Sequence, residues 1–236
     1  APGYAGLAYI VFEDLPLAPF GNRIPQFNFE VQRPLRADDP ATMENAIRAV
    51  TVIPGSGEAV YDPAVVFETP AEGVSRALNR HGATGVPDFE ASLDQLEGTL
   101  ANVSAVSLVI SWFGDDLRAG ICRLRPGVET RDRTTEPQPW SVAGYDRQSA
   151  RLLGQEGAQP AYGGTPPDAS VVAAIEDLKA RGHAVVIHPF ILMDIQQGNG
   201  KPDPHGGSEQ APFPWRGRIT ADLPGDDGTA AARLQV

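Results

Sequence analysis

Four carboxylates in this chain follow closely on apolar runs: Asp115 and Asp116 after AVSLVISWFG, Glu129 in RPGVE, and Asp194 after AVVIHPFILM. Ligands of open α/β sheets and of (β/α)8 barrels bind at the carboxyl ends of parallel strands, where such residues would stand. Paired carboxyl groups cleave glycosides, one kept protonated by its surroundings and one ionised, their separation deciding retention or inversion. Asp116 and Asp194 are the catalytic candidates on that basis. Trp112, Trp140 and Trp215 offer indole faces of the kind that stack on a pyranose ring, which makes Trp112, Asp115, Glu129 and Trp140 candidates for glycan contact. Each has an ordinary role beside the chemical one. Among 30 acidic residues a few fall at strand ends by chance and serve as caps or solvated charges, and tryptophans more often pack in a core.

Other chemistry finds little footing. No GxSxG elbow or HExxH helix is present. The GSG at Gly55 to Gly57 lacks the glycine spacing and lysine of a phosphate loop and reads as a turn. His188 inside an apolar run and His205 in a loop match no metal spacing, and a core imidazole is the reading for His188. The single Cys122 excludes an intrachain disulfide and a multi-cysteine zinc site, and reads as a small buried residue. No cofactor or metal is expected. A net charge of -11 disfavours nonspecific binding to nucleic acid or anionic membrane, and no run of 18 apolar residues spans a bilayer.

The elements that must position these residues are clearest between Thr165 and Asp194. Thr165 reads as an N-cap with Pro166 at the first helical position and Asp168 closing a capping box. Val171, Val172, Ile175 and Leu178 recur at helical spacing, and Gly182 is placed for a left-handed cap. The run Ala184 to Met193 then suits a strand covered on both faces. A second helix-strand pair precedes it: Phe89, Leu93, Leu96 and Leu100 share a face behind Asp88 as N-cap, and Ala105 to Trp112 is a buried strand. Helix feeding strand, twice, implies βα units with a parallel sheet and right-handed crossovers. Shorter expectations are strands at Ala5 to Glu13, Phe27 to Gln32, Trp140 to Ala143 and Trp215 to Thr220, and helices from Asp39 to Val50 and Arg147 to Gln155. Gln196 to Pro214, rich in Gly and Pro, reads as a long loop that is either functional or mobile.

The opening AYIVFEDLPLAPFGNRIPQFNFEV resembles the hub segment of phage tail-tip proteins and of the megatron, or host-specificity, protein of gene transfer agents. Further segments carry the same resemblance in order: AIRAVTVIPGSGEAVY, VSLVISWFGDDLRAGICRLRPGVE, AYGGTPPDASVVAAIEDLKARG, HPFILMDI and PWRGRI. These look like the junction between that hub and the glycoside-hydrolase TIM-barrel-like domain that follows it in the family. The resemblance implies a β-rich hub segment with a short helix over residues 1–87 and part of a TIM-barrel-like α/β domain over 88–236. About 130 residues follow Val103, against roughly 250 for a complete barrel, so the expectation is a partial barrel whose open edge is covered by partners or symmetry mates.

A structural component of a phage-like tail tip is the functional expectation. It would sit in the virion, contact other hub and distal tail proteins, form a homo-oligomer around the tail axis and meet the cell envelope. The alternative is a domain that binds or cleaves cell-wall or surface polysaccharide, and a third reading is a flavodoxin-like domain for a small molecule.

Overall fold

The computed structural model describes residues 10–16, 27, 29, 42–53, 57–82, 85–214 and 230–234. Two compact units divide the chain, Ala1–Asp38 and Asp39–Val236. In the first, the rings of Phe12 and Phe27 stack with centroids 4.3 Å apart, and Phe29 lies 5.8 Å from Phe27. The expected strands Ala5 to Glu13 and Phe27 to Gln32 fall mostly outside the described residues, and those described form no strand.

The second unit is a mixed α/β structure around a parallel sheet. Strand β1 (Ala49–Val52) is followed by an antiparallel hairpin of β2 (Phe67–Ala71) and β3 (Val74–Ala77). Helix α1 (Asp88–Thr99) leads into β4 (Ala105–Gly114), and helix α2 (Asp168–Ala180) leads into β5 (Ala184–Met193). The parallel strands lie in the order β1-β4-β5, with β5 in register with β4 along all ten residues, from Ala184 opposite Ala105 to Met193 opposite Gly114. Among the described residues the sheet stays open and no closed barrel forms. Residues 39–87, assigned above to the hub segment, supply β1 and Tyr61 to this same sheet and core.

Alternation builds the core. Val106 and Leu108 of β4 meet Phe89 and Leu93 of α1 and Ala174 and Leu178 of α2. Tyr61 is buried among them, its hydroxyl donating to Val109 O (2.7 Å). Arg181 joins the two helices, donating to Asp177 on α2 and to Glu90, Asp94 and Glu97 on α1.

The helices begin differently from the sequence expectation. Pro166 and Pro167 hold the chain extended, so α2 starts at Asp168 behind Pro167. The Thr165 hydroxyl donates instead to Ser111 O and accepts from Gly127 N–H, both at 2.9 Å, while Asp168 accepts from Ala143 N–H (2.7 Å). Asp88 lies inside α1, and its carboxylate reaches back to His81 N–H and Nδ1. The far end of α2 follows expectation. Gly182 has φ 91°, and the His183 and Gly182 N–H groups donate to Leu178 O and Lys179 O, closing a Schellman cap.

Between β4 and α2 the chain runs through two-residue strand pairs and turns, and the expected helix at Arg147 to Gln155 is absent. Its backbone donors go elsewhere: Arg151 N–H to Pro126 O and Leu153 N–H to Val128 O. The Asp39 to Val50 helix shrinks to one turn, Met43–Ala46, before β1 takes over. Trp140 to Ala143 contributes only Ser141–Val142, paired with Tyr145–Asp146.

Strand β5 is less covered than its apolar composition implies. Its end is buried at Leu192 and Met193, but Val186 is 57% exposed, and Ile187 and His188 also face solvent. The Ala184 and Asp194 N–H groups both donate to the β4 side, so even-numbered amides of β5 face β4 and odd-numbered ones face the outer edge, which no strand among the described residues pairs with. At the far end that edge is taken up: Tyr162 Oη donates to Met193 O (3.3 Å), and Phe213 N–H to Ile195 O (2.8 Å). Pro189, at an odd position, has no N–H to offer there.

Candidate functional site

The ends of β4 and β5 bring Asp115, Asp116 and Asp194 to one end of the sheet, joined by the Asp194 N–H on Gly114 O (2.9 Å). Asp194 is fully buried. Its Oδ2 accepts from Arg151 Nε (2.6 Å) and its Oδ1 from Gly154 N–H (2.9 Å), while Arg151 Nη2 donates to its backbone oxygen.

Asp116 is enclosed as well. It accepts from Arg118 Nε (2.9 Å), Arg118 Nη2 (2.8 Å), the Arg118 N–H (2.9 Å) and Gln210 Nε2 (2.8 Å). Burial pushes its carboxyl up, but the hydrogen bonds from Arg118 and Gln210 outweigh that and hold it well below the usual carboxylate range. Gln210 comes from the Gly/Pro-rich loop, which is a hydrogen-bonded cover. Gln210 Oε1 accepts from Leu117 N–H (2.9 Å), Asn199 Nδ2 donates to Gln210 O (2.7 Å), and Glu209 accepts from the Gly198 and Gly200 N–H groups. Both catalytic candidates are thus saturated with donors and shut from solvent. A general acid must carry a proton at working pH, and Asp116 is arranged to lose it.

The glycan-contact candidates scatter. Trp140 is 3% exposed, donates Nε1–H to Thr165 O (2.8 Å) and packs on Val128, Val142 and Ala150, with Trp112 half-buried beside them. No indole face of Trp140 is left for a sugar. Trp215 lies outside the described residues. Glu129 belongs to a nearly buried ionic cluster missed in the sequence: its Oε2 accepts from Arg133 Nη1 (2.9 Å), and its N–H donates to Glu58 Oε1 (2.8 Å). Glu58 binds Arg147 through both oxygens (3.0 and 2.6 Å), and the Arg147 guanidinium lies 5.8 Å from the Trp140 ring centroid. This cluster fastens residues 57–62 to the β4-α2 connection.

Of the candidates among the described residues, Asp115 is the one that lines an open cleft. It stands in a cleft of about 320 Å³ lined also by Arg123, Arg125, Arg131, Arg151 and Leu152. The cleft is built by the antiparallel pairing of Leu124–Arg125 with the end of β4 and by Arg151–Leu152 beside Gly127–Val128. Asp194 neutralises Arg151, whereas the side chains of Arg123, Arg125 and Arg131 have no carboxylate partner among the described residues. Arg123 and Arg125 alternate in an extended stretch, so their shared side was legible in RLR; Arg131 and Arg151 join them only through the fold.

His188 is exposed on β5, and Cys122 is half-buried against Met193. Among the described residues no group of three or more His, Cys, Asp or Glu side chains could hold a metal, and no helix is long and apolar enough to cross a membrane. No protein-family model and no curated protein matches the chain.

Proposed function

We propose that the chain is a structural component of a phage or phage-like tail tip, a hub of the megatron type, whose C-terminal part begins a TIM-barrel-like domain. The ordered series of segments resembling that family carries the reading. The consecutive parallel order β1-β4-β5 supports it, since successive neighbouring strands with helical crossovers are how a (β/α) barrel starts. The exposed apolar residues of β5 support it too, as surface suited to cover by another protein in an assembly. In this role the chain resides in the virion, contacts other hub and distal tail proteins and repeats around the tail axis. The glycoside-hydrolase alternative draws less support, because Asp116 and Asp194 are enclosed by Arg118, Gln210 and Arg151.

Antibodies to the purified chain, applied to particles from a producing culture and viewed by immunogold electron microscopy, test the proposal. Label at one pole, on the tail tip, is expected. Particles that carry no label while the free protein is present in the same lysate would overturn it.

A further inference from the structure

We infer that the arginine cleft beside Asp115 is a binding site for an acidic saccharide, a sugar unit carrying a carboxylate or phosphate. The inference stands on the cleft alone and goes beyond the tail-tip role. In a chain of net charge -11, four arginines lining one opening of about 320 Å³, only one of them paired with a carboxylate among the described residues, run against the overall composition. A cleft bordered by positive side chains that lack a carboxylate partner attracts an anion. Planar guanidinium forks match the oxygens of carboxylate and phosphate alike. Arg151 is fixed by Asp194, which leaves Arg123, Arg125 and Arg131 to take the charge.

Asp115 selects against a bare anion. Its Oδ1 accepts from the Arg123 N–H (2.8 Å), and its Oδ2 has no donor among the described residues. A fully charged oxyanion pressed against that carboxylate is disfavoured, whereas a hydroxyl donates to it. Leu152, 42% exposed, supplies apolar surface at the cleft for the carbon face of a ring. Anion on one side, hydroxyl on the other and apolar surface at the cleft together describe an acidic sugar.

Isothermal titration of the whole chain at low salt with trigalacturonate, glucose 6-phosphate, inorganic phosphate and maltotriose tests this and separates the two acid types. At least one acidic sugar should bind about tenfold or more tightly than both inorganic phosphate and maltotriose. Arg123→Gln/Arg131→Gln should weaken that binding by a similar factor, while Arg48→Gln, an exposed arginine outside the cleft, leaves it unchanged. Asp115→Asn should weaken the sugar and strengthen inorganic phosphate. Circular dichroism confirms that each variant is folded. Absence of binding by both acidic sugars at about 10 mM, equal binding of phosphate or maltotriose, or equal loss in Arg48→Gln would each overturn the assignment.

Discussion

Replacing Asp194 by asparagine separates a structural carboxylate from a catalytic one. The side chain is fully buried, and that of Arg151 is 23% exposed, so the pair is screened by solvent on one side only. Asparagine can keep the bond from Gly154 N–H through its carbonyl oxygen. Its NH2 would then face Arg151 Nε at the 2.6 Å now spanned by a charged hydrogen bond, donor against donor. Losing a hydrogen bond to a charged group costs about 1.5–3 kcal/mol, and a poorly compensated guanidinium adds to that, so we expect about 3 kcal/mol for Asp194→Asn. For a chain of this length that lowers Tm by about 6–12 °C. Arg151→Met alone strands the buried carboxylate and should cost at least as much. The double variant should recover about 2 kcal/mol relative to the sum of the single changes. Urea and thermal unfolding followed by circular dichroism give all three values. A Tm for Asp194→Asn within about 2 °C of the parent, or strict additivity in the cycle, refutes the reasoning. So does a stable Asp194→Asn protein that has lost a polysaccharide-hydrolysing activity measured in the parent.

Asp116 has a depressed pKa, so its contribution to stability is complete above the ordinary carboxylate value near 3.9 and drains away as pH falls below it. Arg118→Gln should therefore destabilise the protein at pH 7 and have less effect near pH 2, read from urea midpoints at the two pH values. Gly127→Ala would drive a Cβ to 2.6 Å from both Leu153 and Phe113, and should cost about 1–3 kcal/mol in the same assay. Val186→Lys replaces an exposed side chain and should change the stability of the free chain by no more than about 0.5 kcal/mol, while abolishing incorporation into particles. Normal incorporation would remove β5 from the assembly surface.

Long-range order was legible where one period ran without interruption. The apolar runs gave β4 and β5 almost to the residue, and the glycine at 182 marked its cap, because β-branched runs and left-handed φ leave direct traces in residue type, though the run at β5 overstated its burial. Thr165 and Asp88 misled because a capping residue is recognised by type, yet tandem prolines and the approach of His81 gave their oxygens other donors. The helix expected at 147–155 failed for a similar reason, since propensity ignores edges such as Pro126 and Val128 that capture its amides. The strand-end aspartates were placed correctly at the end of the sheet. What sequence could not show was that Gln210, sixteen residues beyond Asp194, would close over Asp116, or that Arg131 and Arg151 would join Arg123 and Arg125 in one cleft.

Pro189 gives strand β5 a signature in time. Its even-numbered amides are locked to β4, whereas Val185 and Ile187 point theirs to the open edge and the proline carries none. In deuterated buffer the strand should therefore exchange as an alternating ladder, slow at 186 and 188 and fast at 185 and 187. An added neighbour would slow only the fast set, and the missing rung at 189 would still divide its protection into two short stretches. Amide exchange at two residues would then report whether the chain is alone or assembled.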